Sequence, residues 1–275
     1  DVTNSLGSFV KVTGEESVGI YGANGTVITN NGEINIGNKS VGIYGVNQLP
    51  GTPTYGDGTI NITNNGSIIS MGTTHGGYGI YANNISGLTT KVTLGAGSNI
   101  DVSGSDDGIG VYVVSTNPSS SLDIDGNITV GKNGVGVYAS GVATGNINGG
   151  LMSLVGDNAI GYYLTNNSNF TNNTGSIHVD GQNITLMITD ASSSINLSTP
   201  FTVTSTPGST YVVGNMIGGD FYNNTTATLG SNGSLINGIG TVALFGTSSN
   251  INSTGTNVSG MVLSGQHTGI PGHTV

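Results

Sequence analysis

Two pairs of carboxylates are the candidates for acid–base catalysis in this chain. Asp106 and Asp107 are adjacent, and Asp123 and Asp125 are separated by one residue. Glycoside hydrolysis requires two carboxyl groups about 5 to 9.5 Å apart on one face. Neighbouring residues of a strand point to opposite faces, and Gly-Ser-Asp-Asp-Gly at 104–108 is typical of a turn. No Arg or strand-borne Lys accompanies these acids, so we expect solvated carboxylates and no catalytic residues.

Metal and cofactor chemistry has even less support. The chain has no Cys, and its four His residues, at 75, 178, 267 and 273, lack the spacing of metal ligands. The Gly-Gly-x-Gly-x-Asp calcium repeat is absent, as are a Ser-His-Asp order and a phosphate-binding loop. We therefore expect no metal, no cofactor and no enzymatic activity.

The charge balance narrows the class of partner. The 275 residues include 14 acidic and 4 basic side chains, and all the basic ones are Lys. A net charge of −10 without Arg argues against nucleic acid and anionic lipid as partners. No apolar run approaches the roughly 20 residues of a membrane-spanning helix, so this segment is not expected to insert into a membrane. Because it starts at Asp1 in mid-pattern, we interpret it as a segment of a longer protein.

A five-residue unit repeats along the chain and must organise whatever site it carries. Its first copy is Val-Gly-Ile-Tyr-Gly, and successive full copies start 23 to 37 residues apart. The six full copies and one weaker copy lie at 18–22, 41–45, 78–82, 109–113, 135–139, 160–164 and 242–246.

Two further short runs of alternating apolar and polar residues lie between successive copies. They are bounded by Asn-Gly, Gly-Ser or Asp-Gly, which are typical of turns. Three strands per repeat, always in the same order, can pair only with the equivalent strands of the next repeat. The sequence therefore predicts an all-β, right-handed parallel β-helix with three sheets and about ten turns, roughly 50 Å long. We expect residues 1–275 to form a single such rod.

Three stretches interrupt the period. Residues 48–58, 71–77 and 214–225 are expected to form loops on the outside of the rod, where insertions in solenoids are often binding surfaces. Residues 266–275, which include Pro271, are expected to be a frayed end.

The repeat units resemble a known family. Ser-Val-Gly-Ile-Tyr-Gly at 17–22 and 40–45, Asn-Asn-Gly-x-Ile-x-Ile at 30–36 and the unit at 58–66 are similar to the passenger repeats of large type Va autotransporter adhesins, particularly those of fusobacteria. The similarity is good over residues 8–165. It implies a right-handed β-helical passenger, carried to the bacterial surface through an outer-membrane barrel, that adheres to host receptors, glycans or other bacteria. It transfers no ligand-binding residue.

The repeated Tyr forms a column of candidate binding residues. If Val18 and Ile20 face the interior, then Tyr21 faces outward, with Gly19 leaving room on the same face. The equivalent residues are Tyr44, Tyr81, Tyr112, Tyr138 and Tyr163. Such a stripe could stack on sugar rings. Two alternatives stay open: a structural ladder of packed rings, or Tyr side chains inside the coil.

The recurring Asn pairs have a structural interpretation. Asn30-Asn31, Asn64-Asn65 and Asn172-Asn173 precede turns. We expect their side chains to stack and hydrogen-bond along the coil.

The expected binding surface combines the loops at 48–58 and 71–77 with the Tyr face between them. Its candidate residues are Tyr55, Asp57, His75, Tyr44 and Tyr81, with Tyr55 as the aromatic anchor. The expected partner is a host receptor or glycan, or another bacterium, bound by a monomeric rod. The alternatives are a β-helical polysaccharide lyase or hydrolase and a purely structural stalk.

Overall fold

The computed structural model describes residues 1–47, 58–217, 220–223, 226–239, 242–245, 250–253 and 256–264. All the regular elements of this part of the chain are strands, which form three ten-stranded sheets. None of the described residues forms a helix with the length and apolar character that a bilayer crossing requires.

Every strand pairs in parallel with the equivalent strands of the coils before and after it, which confirms the right-handed parallel β-helix. The first sheet contains Val2–Asn4, Val27–Asn30, Ile60–Asn64, Thr90–Leu94, Ser121–Ile124, Thr144–Ile147, Asn169–Asn172, Ser194–Leu197, Asp220–Asn223 and Val242–Phe245. The second sheet contains Phe9–Val12, Glu33–Ile36, Ser67–Ser70, Asn99–Val102, Asn127–Val130, Leu151–Leu154, Ser176–Val179, Phe201–Ser205, Thr226–Leu229 and Asn250–Ser253. The third sheet contains Val18–Ala23, Val41–Asn47, Tyr78–Asn84, Ile109–Ser115, Val135–Ser140, Ile160–Thr165, Ile184–Thr189, Tyr211–Ile217, Gly233–Ile239 and Ser259–Ser264.

One column of the core consists of the Ile or Val that precedes each repeated Tyr. Its members pair in register from coil to coil, and none is more than 6% exposed. They are Ile20, Ile43, Ile80, Val111 and Val137. The expectation that these residues face the interior is therefore confirmed. In the next two coils the same column continues with the buried side chains of Tyr162 and Met187.

The residues on either side of this column differ from the expectation. Val18 is 39% exposed and lies on the outer face, whereas we expected it inside. Gly42, Gly79 and their equivalents face the interior, whereas we expected them under the Tyr rings. Two consecutive residues, Gly and then Ile or Val, thus face inward, so the strict alternation of a strand fails at this point.

The reason lies in the packing of the inner glycine column, formed by Gly19, Gly42, Gly79, Gly110, Gly136 and Gly161. A Cβ built on Gly42 would lie 2.6 Å from both the carbonyl oxygen of Gly79 and Cγ2 of Ile68. At Gly79 the corresponding distances, to Gly110 and Ile100, are both 2.5 Å. These separations are shorter than any van der Waals contact, so only Gly lets the second and third sheets approach here.

In the first sheet, a large side chain of one coil fills the space left by a glycine of the neighbouring coil. Gly145 pairs with Phe170, which is 1% exposed. A Cβ on Gly145 would lie 2.2 Å from Cδ1 of the Phe170 ring, which therefore occupies the space that Gly145 leaves. The ring also packs on Tyr162, with a centroid distance of 6.4 Å. The loss of side-chain volume in one coil is thus compensated by an aromatic residue in the next.

Asparagine side chains form hydrogen-bonded ladders at the corners of the coil, as expected. The buried amide of Asn4 donates to Asn30, and that of Asn30 donates to Asn64, both at 2.7 Å. On the surface, the side chain of Asn65 donates to that of Asn31 at 2.9 Å. These bonds satisfy buried amides and tie successive coils together.

The interruptions of the period have different outcomes. Residues 71–77 connect Ser67–Ser70 to Tyr78–Asn84 without a strand of their own. The 214–225 stretch differs from the expectation, because it contains the end of Tyr211–Ile217 and all of Asp220–Asn223. Both strands stay in register with the preceding coil, so they belong to the sheets and not to an outer loop. Residues 48–57 and 266–275 lie outside the described residues.

The Gly79→Ala substitution tests the inner glycine column. The new methyl group would collide with backbone and a buried Ile, so we expect the free energy of unfolding to fall by about 1–3 kcal/mol. Gly149→Ala is the matched control, because the nearest atom to its Cβ is 3.4 Å away. Urea denaturation followed by circular dichroism measures both variants. Equal stability of the two would contradict the inward orientation of Gly79.

Candidate functional site: the tyrosine ladder

Six tyrosines of the third sheet form a continuous row on the outside of the rod, which we call the tyrosine ladder. Each pairs in register with the next, and their side chains are half-buried or exposed, with Tyr21 the most exposed at 45%. The members are Tyr21, Tyr44, Tyr81, Tyr112, Tyr138 and Tyr163. Of the two orientations left open by the sequence, the outward one is therefore observed.

The middle of the ladder is a stack of parallel rings. Tyr81 and Tyr112 have a centroid distance of 4.7 Å and an interplanar angle of 7°. Tyr112 and Tyr138 are 4.8 Å apart at 8°. These distances match the roughly 4.8 Å spacing of neighbouring strands. Each ring thus covers the face of its neighbour, which favours a packing role for this part of the ladder.

Both ends of the ladder have a different geometry. At the C-terminal end, Tyr138 and Tyr163 meet at 70° with centroids 5.4 Å apart. The N-terminal end contains more rings. Tyr21 and Tyr44 meet at 75°, and Tyr44 and Tyr81 at 84°, with centroids 5.6 and 5.1 Å apart. Tyr78 adds a fourth ring, 5.0 Å from Tyr81 at 87°. In an edge-to-face pair, one ring keeps its faces clear of the other. We call these four residues the tyrosine cluster.

A second outward column runs beside the ladder and is also apolar. It consists of the first residue of each strand: Val18, Val41, Tyr78, Ile109, Val135 and Ile160. The outward residues of these six strands carry no charged side chain. With five coil steps of about 4.8 Å and six residues of about 3.3 Å, this uncharged face measures roughly 24 by 20 Å. Apolar patches of this size on a protein surface are often functional.

Burial favours the neutral form of the hydroxyl in two residues of the ladder, Tyr44 and Tyr112, and in the neighbouring Tyr78. Partial burial raises the pKa of Tyr44 and of Tyr112 above the ordinary value of 10.0, and neighbouring tyrosines of the ladder raise it further. The pKa of Tyr78 is raised in the same way, by burial and by Tyr81. The hydroxyls of these rings therefore remain available as hydrogen-bond donors at neutral pH.

Charged and polar residues border the tyrosine cluster on the side where the strands begin. Lys39 Nζ lies 3.7 Å from Glu16 Oε1 in an exposed ion pair. His75 is exposed, and its backbone carbonyl accepts a hydrogen bond of 3.3 Å from the Lys39 amide. The structure therefore brings His75 near one edge of the cluster. Tyr44 and Tyr81 lie within the cluster, while Tyr55 and Asp57 are outside the described residues.

The acidic residues do not converge in the described part of the chain. Asp106 Oδ2 pairs with Lys132 Nζ at 3.2 Å, and Asp107 lies at a left-handed turn position with φ of 62°. Asp123 accepts a hydrogen bond from the side chain of Asn146 at 2.8 Å. Groups of three or more His, Cys, Asp or Glu able to hold a metal ion are absent from the described residues.

Sequence reasoning missed Tyr78 as a member of the aromatic surface. It stands in the Val position of the repeat, which we expected to face inward. The signal was present, since an aromatic residue there interrupts a column of aliphatic ones. The exchange of faces at the glycine had to be known before that signal could be interpreted.

The chain matches no protein-family model, and comparisons with curated proteins and with solved structures returned no match.

The ladder makes stability depend on alkaline pH. The folded state raises the pKa of Tyr44, Tyr78 and Tyr112. The contribution of their neutral hydroxyls to the free energy of unfolding is therefore complete below the pKa of Tyr in the unfolded chain, about 10. It is lost as the pH rises through the higher folded values. We expect the free energy of unfolding to fall from about pH 10 upward, measured by urea titration.

The control for this measurement is a variant with Tyr44→Phe, Tyr78→Phe and Tyr112→Phe, which removes the three ionisable hydroxyls and keeps the rings. Its alkaline loss should be smaller than that of the original chain. An identical loss in both proteins would show that the ladder hydroxyls are not its source.

Proposed function

We propose that this chain is a segment of a bacterial cell-surface adhesin, in which a β-helical rod presents a binding surface away from the cell. The single observation that carries the proposal is the uncharged aromatic face that follows six coils of the rod. Surface patches of a few hundred Å² that are rich in apolar side chains are often functional.

The architecture suits this role. Each coil is bonded to the next by three parallel ladders, so the rod extends without a separate core for each unit. The resemblance of its repeats to autotransporter passengers adds the cell surface as location and export through an outer-membrane barrel as route. The partner in this proposal is a host receptor, a glycan or the surface of another bacterium, bound by a monomeric rod without catalysis.

A purely structural stalk is the second candidate, and a specific observation favours it. The parallel rings of Tyr81, Tyr112 and Tyr138 cover each other and so contribute to packing between coils. In a stalk the whole ladder would serve this purpose, and the segment would only separate other domains from the cell.

A cell-binding assay separates the adhesin from the stalk. We expect the fluorescently labelled chain to bind saturably to host epithelial cells or to partner bacteria, and an excess of unlabelled chain to compete. Binding weaker than about 1 mM to every surface tested would contradict the adhesin and support the stalk.

Two controls accompany this assay. A chain lacking residues 48–58 tests the loop that contains Tyr55 and Asp57, and retained binding would direct attention to the tyrosine ladder. Incubation with pectin and hyaluronan tests for catalysis through the release of reducing ends. Turnover that disappears in an Asp106→Asn, Asp107→Asn double variant would overturn the non-enzymatic proposal.

A further inference from the structure

We propose that Tyr21, Tyr44 and Tyr78 of the tyrosine cluster are a platform for an uncharged linear oligosaccharide lying along the rod axis, bordered by Tyr81, whose ring stacks on Tyr112. This inference rests on the proposed adhesive function and names the chemical class of its ligand. It also divides the ladder into an N-terminal binding part and a packed middle.

The orientation of the rings decides which ring faces a sugar can reach. A sugar ring binds an aromatic side chain by laying its C–H face on the ring face, so the ring face must be accessible. In the middle of the ladder the faces are covered by parallel neighbours. Tyr44 is nearly perpendicular to both Tyr21 and Tyr81, and in each such pair one ring keeps its faces clear of the other.

The cluster also has a set of unused hydrogen-bonding groups. Among the tyrosines whose side chains the structure describes, Tyr211 is the one whose hydroxyl hydrogen-bonds to protein, through Gly230. The hydroxyls of the cluster therefore have no protein partner among the described residues. Tyr hydroxyls can both donate and accept, which suits the hydroxyl groups of a sugar. The exposed side chains of Lys39 and His75 add polar groups at the border.

The charge of the chain bears on the class of sugar. The chain carries a net charge of −10, and the strands that carry the cluster have no charged side chain. Lys39 at the border is already paired with Glu16, so it provides little attraction for an anionic ligand. An uncharged ligand is therefore favoured over sialylated or sulfated glycans, whose negative charge the chain as a whole repels.

Area decides between an oligosaccharide and a second copy of the chain. The complete uncharged face covers about 500 Å², and stable protein interfaces bury about 800 Å² on each partner. Two rods of the same net charge would also repel each other. The face is too small for a stable pair of rods, while its narrow, linear shape fits a single extended chain of sugar units.

Direct binding to defined sugars tests the proposal. The probes are neutral linear tetrasaccharides of glucose, mannose, galactose and N-acetylglucosamine, with sialylated and sulfated counterparts. Because the chain has no Trp, its intrinsic fluorescence comes from its 11 Tyr residues, which include the cluster. We expect at least one neutral tetrasaccharide to change this fluorescence saturably, and a Tyr21→Leu, Tyr44→Leu double variant to raise its Kd at least tenfold.

The matched control is a Tyr138→Leu, Tyr163→Leu double variant, which makes the same changes at two ladder positions whose rings contact no member of the cluster. Its Kd should stay within twofold of the original value. Equal losses in both variants, or preferential binding of the charged sugars, would overturn the proposal. Circular dichroism verifies that each variant is folded.

A measurement on the unchanged chain removes the dependence on variants. Saturation-transfer NMR, with irradiation of the Tyr ring protons, should transfer magnetisation to the C–H protons of the bound neutral tetrasaccharide. Absence of magnetisation transfer to any of the four sugars would overturn the proposal. If the chain still bound to cells in that case, the adhesive function would be retained and its partner would be a protein receptor. Concentration-dependent dimers in sedimentation that disappear in the Tyr21→Leu, Tyr44→Leu variant would instead assign the face to a second copy.

Discussion

The close approach of the second and third sheets at the inner glycine column is the constraint on which the rest of the structure depends. At Gly42 and Gly79 a single Cβ would overlap both a backbone carbonyl and a buried Ile of the next coil. Because Gly contributes no side chain, the following Ile or Val fills the space and also faces inward. The next residue must then point outward, and in six successive coils that residue is Tyr. The outward position of the tyrosine ladder is thus a consequence of the inner glycine column, and both repeat at the spacing of the strands.

The same repeat produces two kinds of aromatic surface. Where the coils carry Tyr112 and Tyr138, the rings lie parallel and stabilise the rod by covering one another. Where Tyr78 replaces an aliphatic residue, an extra ring contacts both Tyr81 and Tyr112, and the N-terminal rings meet at steep angles. One column can therefore support the rod and also present a surface. This division accommodates both the scaffold and the adhesive interpretation, in different coils.

Much of the fold could be predicted from the sequence because the repeat is explicit. The period, the turn residues and the recurrence of Ile20 and its equivalents were enough for three parallel sheets and a correct core column. The faces of Val18 and Gly19 could not be predicted by strict alternation, since that rule has no term for two inward residues in succession. The 214–225 stretch was interpreted as a loop because its Gly and Asn residues hide a register that its neighbours maintain. Ring orientation depends on side-chain rotamers, so the contrast within the ladder required the structure.

Nitration of the native chain, followed by peptide mass spectrometry, tests most directly which tyrosines face outward. Tyr21 lies on the surface at 45% exposure, whereas Tyr162, which occupies the position of Ile20 in its own repeat, lies in the core at 3%. We expect tetranitromethane to modify Tyr21 readily and to leave Tyr162 unmodified until the chain is unfolded. Modification of Tyr162 in the folded chain at the rate of Tyr21 would contradict the proposed coupling between the glycine column and the tyrosine ladder.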